Sequence, residues 1–251
     1  MDSARNLSTE DWFAGPLGER VLREEAALAP LALENVFGFE LLQVGSWGLD
    51  RHLLDGARTQ HSTLVAPEMG PGVTLCAPLE TLPFRSDSID AIFLPHTLEL
   101  VEDPYAVLRE AERVLTAEGC LMICGFNPFS GWGARRLLGR FLRRAAFPPG
   151  TLRMLSERRL RDWVALLDFG VDSVYGYLGA LPLKGRGLRA VDTAGHDAEF
   201  RPRAAMTAGA YLLKARKRVS TLTLVRPRRR IRQRVLVGAA EPTHKVGKRS
   251  T

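Results

Sequence analysis

The most constraining feature of this chain begins at Phe39, where short apolar runs bounded by Gly, Pro and Asp alternate with longer stretches of helical periodicity. The runs are residues 39–44, 62–66, 73–76, 89–94 and 120–125. Continuous apolar runs of this length read as strands buried on both faces, and the helical stretches between them return the chain for parallel pairing. A largely parallel α/β sheet follows. The clearest helix spans residues 104–115: Asp103 stands as its N-cap, Pro104 at its first position, and Val107, Leu108, Ala111, Val114 and Leu115 form one stripe. A second helix, 157–167, leads into an alternating strand at 171–178. A last strand at 208–215 follows a loop of roughly thirty residues, a length that is usually functional.

Ahead of this texture, residues 17–36 set Leu17, Val21, Leu22, Leu28, Leu31 and Val36 among Glu19, Arg20, Arg23, Glu24 and Glu25. The pattern is an amphipathic helix with an expected break at Pro30. The six residues Pro67 to Gly72 are too few for a parallel crossover. Either residues 62–66 pair antiparallel with 73–76, therefore, or one of the two is not a sheet strand.

Charge divides the chain. The 251 residues carry a net +7, but residues 1–213 hold 22 Lys and Arg against 27 Asp and Glu, while residues 214–251 hold 13 against one. The body is mildly acidic and the tail strongly basic. Composition is that of an ordinary globular protein, with 45% apolar and 25% charged residues, which excludes collagen-like, coiled-coil and disordered classes. Cys76, Cys120 and Cys124 lack zinc or disulfide spacing, and His52, His61, His196 and His244 lack metal-ligand spacing. No signal-peptide pattern and no run of about 18 apolar residues is present, so a soluble cytoplasmic protein is the expectation.

Three segments in order carry a chemistry. Leu41-Leu42-Gln43-Val44-Gly45-Ser46-Trp47-Gly48 is a glycine-containing turn from strand to helix. Leu82-Pro83-Phe84-Arg85-Ser86-Asp87-Ser88-Ile89-Asp90 enters a strand that ends in Leu94-Pro95-His96-Thr97-Leu98-Glu99. Asp103-Pro104 then leads through Arg109-Glu110-Ala111-Glu112-Arg113-Val114-Leu115 and Glu118-Gly119 into Leu121-Met122-Ile123-Cys124. Together they resemble the class I S-adenosylmethionine-dependent methyltransferases, in the branch with the type-11 methyltransferase domain. The resemblance implies a Rossmann-like, mostly parallel seven-stranded sheet closed by an antiparallel hairpin. It divides the chain into a helical N-terminal extension (1–36), a methyltransferase-like domain (37–218) and a basic tail (219–251).

The resemblance also implies S-adenosylmethionine as cofactor. Gly45, Ser46 and Gly48 would meet its methionyl end beyond the carboxyl end of the first strand, where a glycine lets backbone approach ligand. Glu68 is the candidate for the ribose. The carboxamide or carboxylate that in the family precedes the Leu82-Pro83-Phe84 segment and reads the adenine is absent; Cys76-Ala77-Pro78 stands there, with Glu80 nearby as a candidate cofactor contact. His96 would stack on the methionyl end or accept a proton from the substrate, with Glu99 beside it, and Asn127 is a candidate substrate contact. Asp90 reads instead as a strand-start cap. Methyl transfer from a sulfonium needs alignment more than a catalytic triad. The pattern departs from the family at Gln43, where an acidic residue is usual, and at Trp47, where glycine is usual. Trp47 either fills part of the cofactor pocket or turns outward as a lid.

The methyl acceptor is unassigned; a small molecule, a lipid or quinone precursor and RNA all suit such a fold. Arg135, Arg136, Arg140, Arg143 and Arg144 cluster on one side of a helix at 132–145, opposite Leu137, Leu138, Phe141 and Leu142. That helix and the tail at 226–251 are the places for an anionic partner, RNA or a membrane surface. The rival reading is a non-catalytic binding protein that keeps the fold, has lost the cofactor site and uses those basic segments.

Overall fold

The computed structural model describes residues 12–47, 52–54, 56–141, 153–179 and 208–218. The chain divides into two compact units, residues 1–219 and 220–251. The second unit, with the basic tail, lies outside the described residues. So do Gly48 and most of the long loop before the last strand.

A seven-stranded sheet organises the first unit. Its strands are β1 (Phe37–Val44), β2 (Arg58–Ala66), β3 (Leu75–Cys76), β4 (Ile89–Pro95), β5 (Leu115–Phe126), β6 (Phe169–Tyr177) and β7 (Ala210–Lys217). They lie in the order β3-β2-β1-β4-β5-β7-β6. The first five pair parallel, and β7 runs antiparallel between β5 and β6. Order reverses beside β1, so the carboxyl ends of β1 and β4 face a crevice, where open sheets of this type take ligands.

Strand period two sorts the side chains onto two faces. Leu42, Val44, Ile92, Leu94, Leu121 and Ile123 join α3 (Pro104–Val114) and α5 (Glu157–Leu166) in one core. Leu41, Ala91, Phe93, Cys120, Met122 and Cys124 point the other way, into a core shared with α1 (Pro16–Leu33) and with Trp132 of α4 (Gly131–Phe141). The short helix α2 (Thr97–Leu100) follows β4 directly. Asp103 caps α3 as its position suggests, its carboxylate accepting from the backbone N–H groups of Tyr105 and Ala106. Asp90 accepts from the N–H groups of Phe39 and Glu40, tying β4 to the start of β1.

Three local expectations are corrected. β2 and β3 pair parallel, Val65 with Leu75 and Ala66 with Cys76. The short connection suffices because β3 is two residues long and lies against the very end of β2, so the chain steps back only one turn instead of crossing the whole sheet. Thr74 stitches that turn, its N–H donating to Leu64 O. Secondly, α1 continues through Pro30 without a break to Leu33. Pro30 stands in the last turn, where a missing N–H costs a single hydrogen bond. Thirdly, Glu25 does not belong to the polar face of that helix. Val21, Glu25, Ala29 and Ala32 share its buried side. No helix among the described residues is long and apolar enough to cross a membrane.

Candidate active site

β4 delivers His96 to the carboxyl edge of the sheet. The residue has φ of 52°, a left-handed conformation uncommon for a side chain of this size. Its N–H donates to Cys124 O of the neighbouring strand, and its carbonyl accepts from Glu99 N. The imidazole is completely buried. Nδ1 lies 2.7 Å from Glu99 Oε2, and Nε2 lies 2.7 Å from Glu25 Oε1. The Tyr177 hydroxyl, at the end of β6, donates to the same Glu25 oxygen at 2.8 Å. Trp47 Nε1 donates to the other Glu25 oxygen at 2.7 Å. Glu99 Oε1 accepts from Phe126 N. Two carboxylates thus hold one imidazole from both ends.

Aromatic rings seal the cluster. Trp47 stacks on His96 with centroids 4.2 Å apart and planes 25° apart. Phe126 lies 4.2 Å from the imidazole, and Phe13 meets the indole edge-on at 4.7 Å. Burial alone would push the imidazole pKa down. The charges and hydrogen bonds of Glu25 and Glu99 outweigh it and raise His96 to about 9. Burial raises the Glu99 carboxyl, opposed chiefly by its bond to His96, with the charge of Arg136 contributing. Burial likewise holds the Tyr177 hydroxyl and the Cys124 thiol in their neutral forms. At neutral pH His96 is therefore an imidazolium with both N–H groups engaged.

Gly45 follows β1 at φ of 93°, and its N–H donates to Val65 O. A Cβ built there would stand 2.6 Å from the Thr97 hydroxyl, which itself donates to Val44 O. Close packing against α2 thus demands glycine whatever else the turn does. Ser46 is exposed. Trp47 points inward and is 2% exposed, which excludes the outward-lid alternative for the described conformation. Glu68 and Glu80 are exposed beyond the ends of β2 and β3. Along the same edge, Gln43 Oε1 is buried without a hydrogen-bond partner among the described residues.

Asn127 sits where β5 ends, buried, with Nδ2 donating to Ala208 O and Oδ1 accepting from Phe129 N. Both ends of its amide serve the turn. His96 and Glu99 are brought together, and Gly45 joins them through Thr97. Glu68 and Glu80 are exposed beyond the neighbouring strands, and Asn127 follows Phe126 directly, its amide engaged with Ala208 and Phe129. Two residues escaped the reading of the sequence. Glu25 had a signal, its spacing of four from both Val21 and Ala29, which places it on the buried stripe. Tyr177 had none beyond its place near a strand end.

Comparison with known proteins fits this geometry. Residues 48–123 match the family described as a methyltransferase domain. A solved S-adenosylmethionine-dependent methyltransferase from Archaeoglobus fulgidus superposes over 83% of this chain and 97% of its own, with a TM-score of 0.57 at 13% identity. The fold is that of the class I methyltransferases. A second such structure, described as a possible histamine N-methyltransferase of Thermotoga maritima, covers 84% of this chain and 100% of its own, with a TM-score of 0.54 at 18% identity. Among curated proteins, the uncharacterized protein YafS of Escherichia coli K12 is 37% identical over 137 residues, 55% of each chain. The chain spans about half the length of the curated relatives it matches. Within this fold, the cluster around His96 lies at the rim of β4 and β5, beside the crevice of the topological switch point.

Proposed function

We propose that the protein is an S-adenosylmethionine-dependent methyltransferase whose acceptor is unassigned. The observation that carries this reading is the left-handed turn at Gly45, beyond β1 at the point where strand order reverses, with unmet polar capacity along the same edge. The residues there suit the cofactor. Gln43 Oε1 is an orphaned acceptor of the kind an ammonium group satisfies. The exposed carboxylates of Glu68 and Glu80 can accept from ribose hydroxyls and from the adenine amino group. Ser46 and Gly48 complete the candidate set beside Gly45. When bound, the cofactor supplies an electrophilic methyl group on a sulfonium.

This chain's own residues align the acceptor and manage its proton. Trp47 and Phe126 exclude water from the imidazole. Glu99 fixes its orientation through Nδ1. Nε2 faces Glu25 in the closed arrangement, so an acceptor must take the place of that carboxylate. Withdrawal of Glu25 also removes the largest contribution raising the imidazole pKa. The imidazole then holds its proton less tightly, which suits it to take a proton from a hydroxyl or ammonium acceptor. We further infer an anionic partner for the arginine-rich segment 135–144, with the tail 226–251 as a second contact. The free thiols of Cys120 and Cys124 support a reducing, cytoplasmic setting.

Isothermal titration of the full chain with S-adenosylmethionine and S-adenosylhomocysteine tests this reading. Saturable heat from either, weakened by Glu68→Ala, is expected. No heat from either at high protein concentration overturns it. The stack of Trp47 on His96 favours a second reading, a closed binding protein with no cofactor site. Under that reading Trp47→Gly binds neither compound.

A further inference from the structure

The groups that hold Glu25 are all donors, and they come from the edge of the sheet. Oε1 accepts from His96 Nε2 at 2.7 Å and from the Tyr177 hydroxyl at 2.8 Å, and Oε2 accepts from Trp47 Nε1 at 2.7 Å. His96 follows β4, Tyr177 ends β6 and Trp47 stands in the turn after β1. Glu25 alone is brought to them by a helix from outside that edge. All four side chains are buried. Glu99, the other carboxylate of the cluster, is engaged by His96 Nδ1 and by Phe126 N.

The helix that carries Glu25 has a weak point beside it. Pro30 has no N–H, so the Ala26 carbonyl one turn earlier has no helical donor. Beyond Pro30 the last turn is fastened to the sheet, with Leu33 buried and Lys214 Nζ donating to Ala32 O at 2.7 Å. Before Pro30 the buried side consists of Gly18, Val21, Glu25 and Ala29. A bend at Pro30, the usual place for one, lifts Glu25 from its donors while the last turn stays where it is.

The three donors decide which acceptor can follow. An attacking amine spends its only lone pair on the methyl group and accepts from none of them. An alcohol oxygen has one lone pair to spare, which leaves two buried donors unmet. A carboxylate has about four lone-pair positions, enough for the three donors and for the methyl group.

We infer that His96, Tyr177 and Trp47 form a carboxylate-binding site, that Glu25 fills it in the closed arrangement, and that the methyl acceptor is a carboxylic acid whose carboxyl group displaces Glu25. The acceptor assignment rests on the methyltransferase reading; the binding site rests on the donors alone. An acid that enters un-ionised gives its hydroxyl proton to Nε2, and one that enters ionised meets the imidazolium as Glu25 does. One carboxylate oxygen then bonds to the methyl carbon as the carbon–sulfur bond breaks, with the electron pair staying on sulfur. The product is a methyl ester, which has lost the charge that paired with the imidazolium, so Glu25 regains its place.

Acetate added to the full chain carrying Glu25→Ala tests the site without any cofactor. Alanine keeps Cβ and removes a group the size of acetate. Sodium acetate at neutral pH should therefore raise the thermal midpoint of the variant saturably, by about 4 °C at about 0.2 M against sodium chloride of equal ionic strength. Acetamide, the same shape without the charge, and ethylammonium chloride should add nothing to the chloride control. A folded variant indifferent to acetate overturns the inference, as does an equal rise with acetamide or ethylammonium. Where the variant does not fold alone, acetate and not acetamide should restore its circular dichroism, and failure to do so is equally fatal. Adding Tyr177→Phe removes one donor and should raise the acetate concentration at half effect several-fold; an unchanged value places the acetate elsewhere and overturns the site. Cofactor heat without acetate rescue removes this inference alone. Acetate rescue without cofactor heat keeps the carboxylate site and overturns the acceptor assignment together with the methyltransferase reading.

Discussion

Glu25 and His96, 71 positions apart in the chain, meet at 2.7 Å with neither side chain open to solvent. This contact fastens the N-terminal helix to the carboxyl edge of the sheet, and it sets the charge of the site. The carboxylate stands on the one face of α1 that is otherwise apolar, so it is buried only because the imidazole, the Tyr177 hydroxyl and the Trp47 indole all meet it. A buried charge without such partners would be strongly destabilising.

The first prediction concerns pH. The folded-state pKa of His96 lies near 9 against an ordinary 6.5, so its bound proton stabilises the fold fully below about pH 6.5 and that stabilisation is lost as pH rises through 9. The loss is on the order of 3 kcal/mol. Urea unfolding at pH 6.5 and 9.5 should show it, and Glu25→Gln should flatten the difference while lowering stability at pH 6.5. A wild-type protein equally stable at both values would contradict the paired imidazolium.

Trp47→Phe isolates the indole N–H from the ring. The phenyl can keep part of the stack on His96 but leaves one Glu25 oxygen without its donor, at a cost of about 1–3 kcal/mol. Trp47→Gly removes both and should cost about 3–5 kcal/mol. Thermal unfolding orders the two variants. On the methyltransferase reading, titration of the glycine variant should also show cofactor affinity equal to or above that of the wild type, since the indole no longer bounds the crevice.

Gly45→Ala should destabilise the protein by about 2–4 kcal/mol, through a left-handed φ and a Cβ driven against Thr97. Pairing it with Thr97→Ala relieves the contact and leaves the backbone strain, so only part of the stability should return. A full return in denaturant titration would show that conformation at Gly45 is unimportant.

Glu68 and Asn127 separate ligand binding from structure. Glu68 is exposed, so Glu68→Ala should leave unfolding within about 0.5 kcal/mol of wild type while weakening cofactor binding. Asn127→Ala breaks two hydrogen bonds of a buried turn and should cost about 1–3 kcal/mol. Calorimetric titration beside chemical unfolding distinguishes the two, and an Asn127→Ala protein of undiminished stability would return that residue to the substrate site.

The sheet and its ordered motifs were legible because strand runs, the Asp103-Pro104 cap and the glycine turn act within a few residues of themselves. The seven strand runs follow from such local patterns, with ends displaced by a few residues, whereas the closing hairpin was implied by the family resemblance. The parallel β2–β3 pair was not legible, since the length of β3 is set by where β2 ends and not by its own sequence. Gly45 was found, but the reason it must be glycine lies in Thr97, at the start of α2.

The sequence by itself determined the α/β class, the order of the elements, the position of His96 at a strand end and the separation of an acidic body from basic segments. Each of these is carried by short-range periodicity or by counting. Only the tertiary structure decided that Trp47 turns inward, that Glu25 caps His96 and that α4 buries Trp132 while Leu137 faces outward. Those depend on which side chains from distant parts of the chain are packed against one another. A single buried anchor, Trp132 for α4 and His96 for Glu25, fixes the rotation of a whole helix.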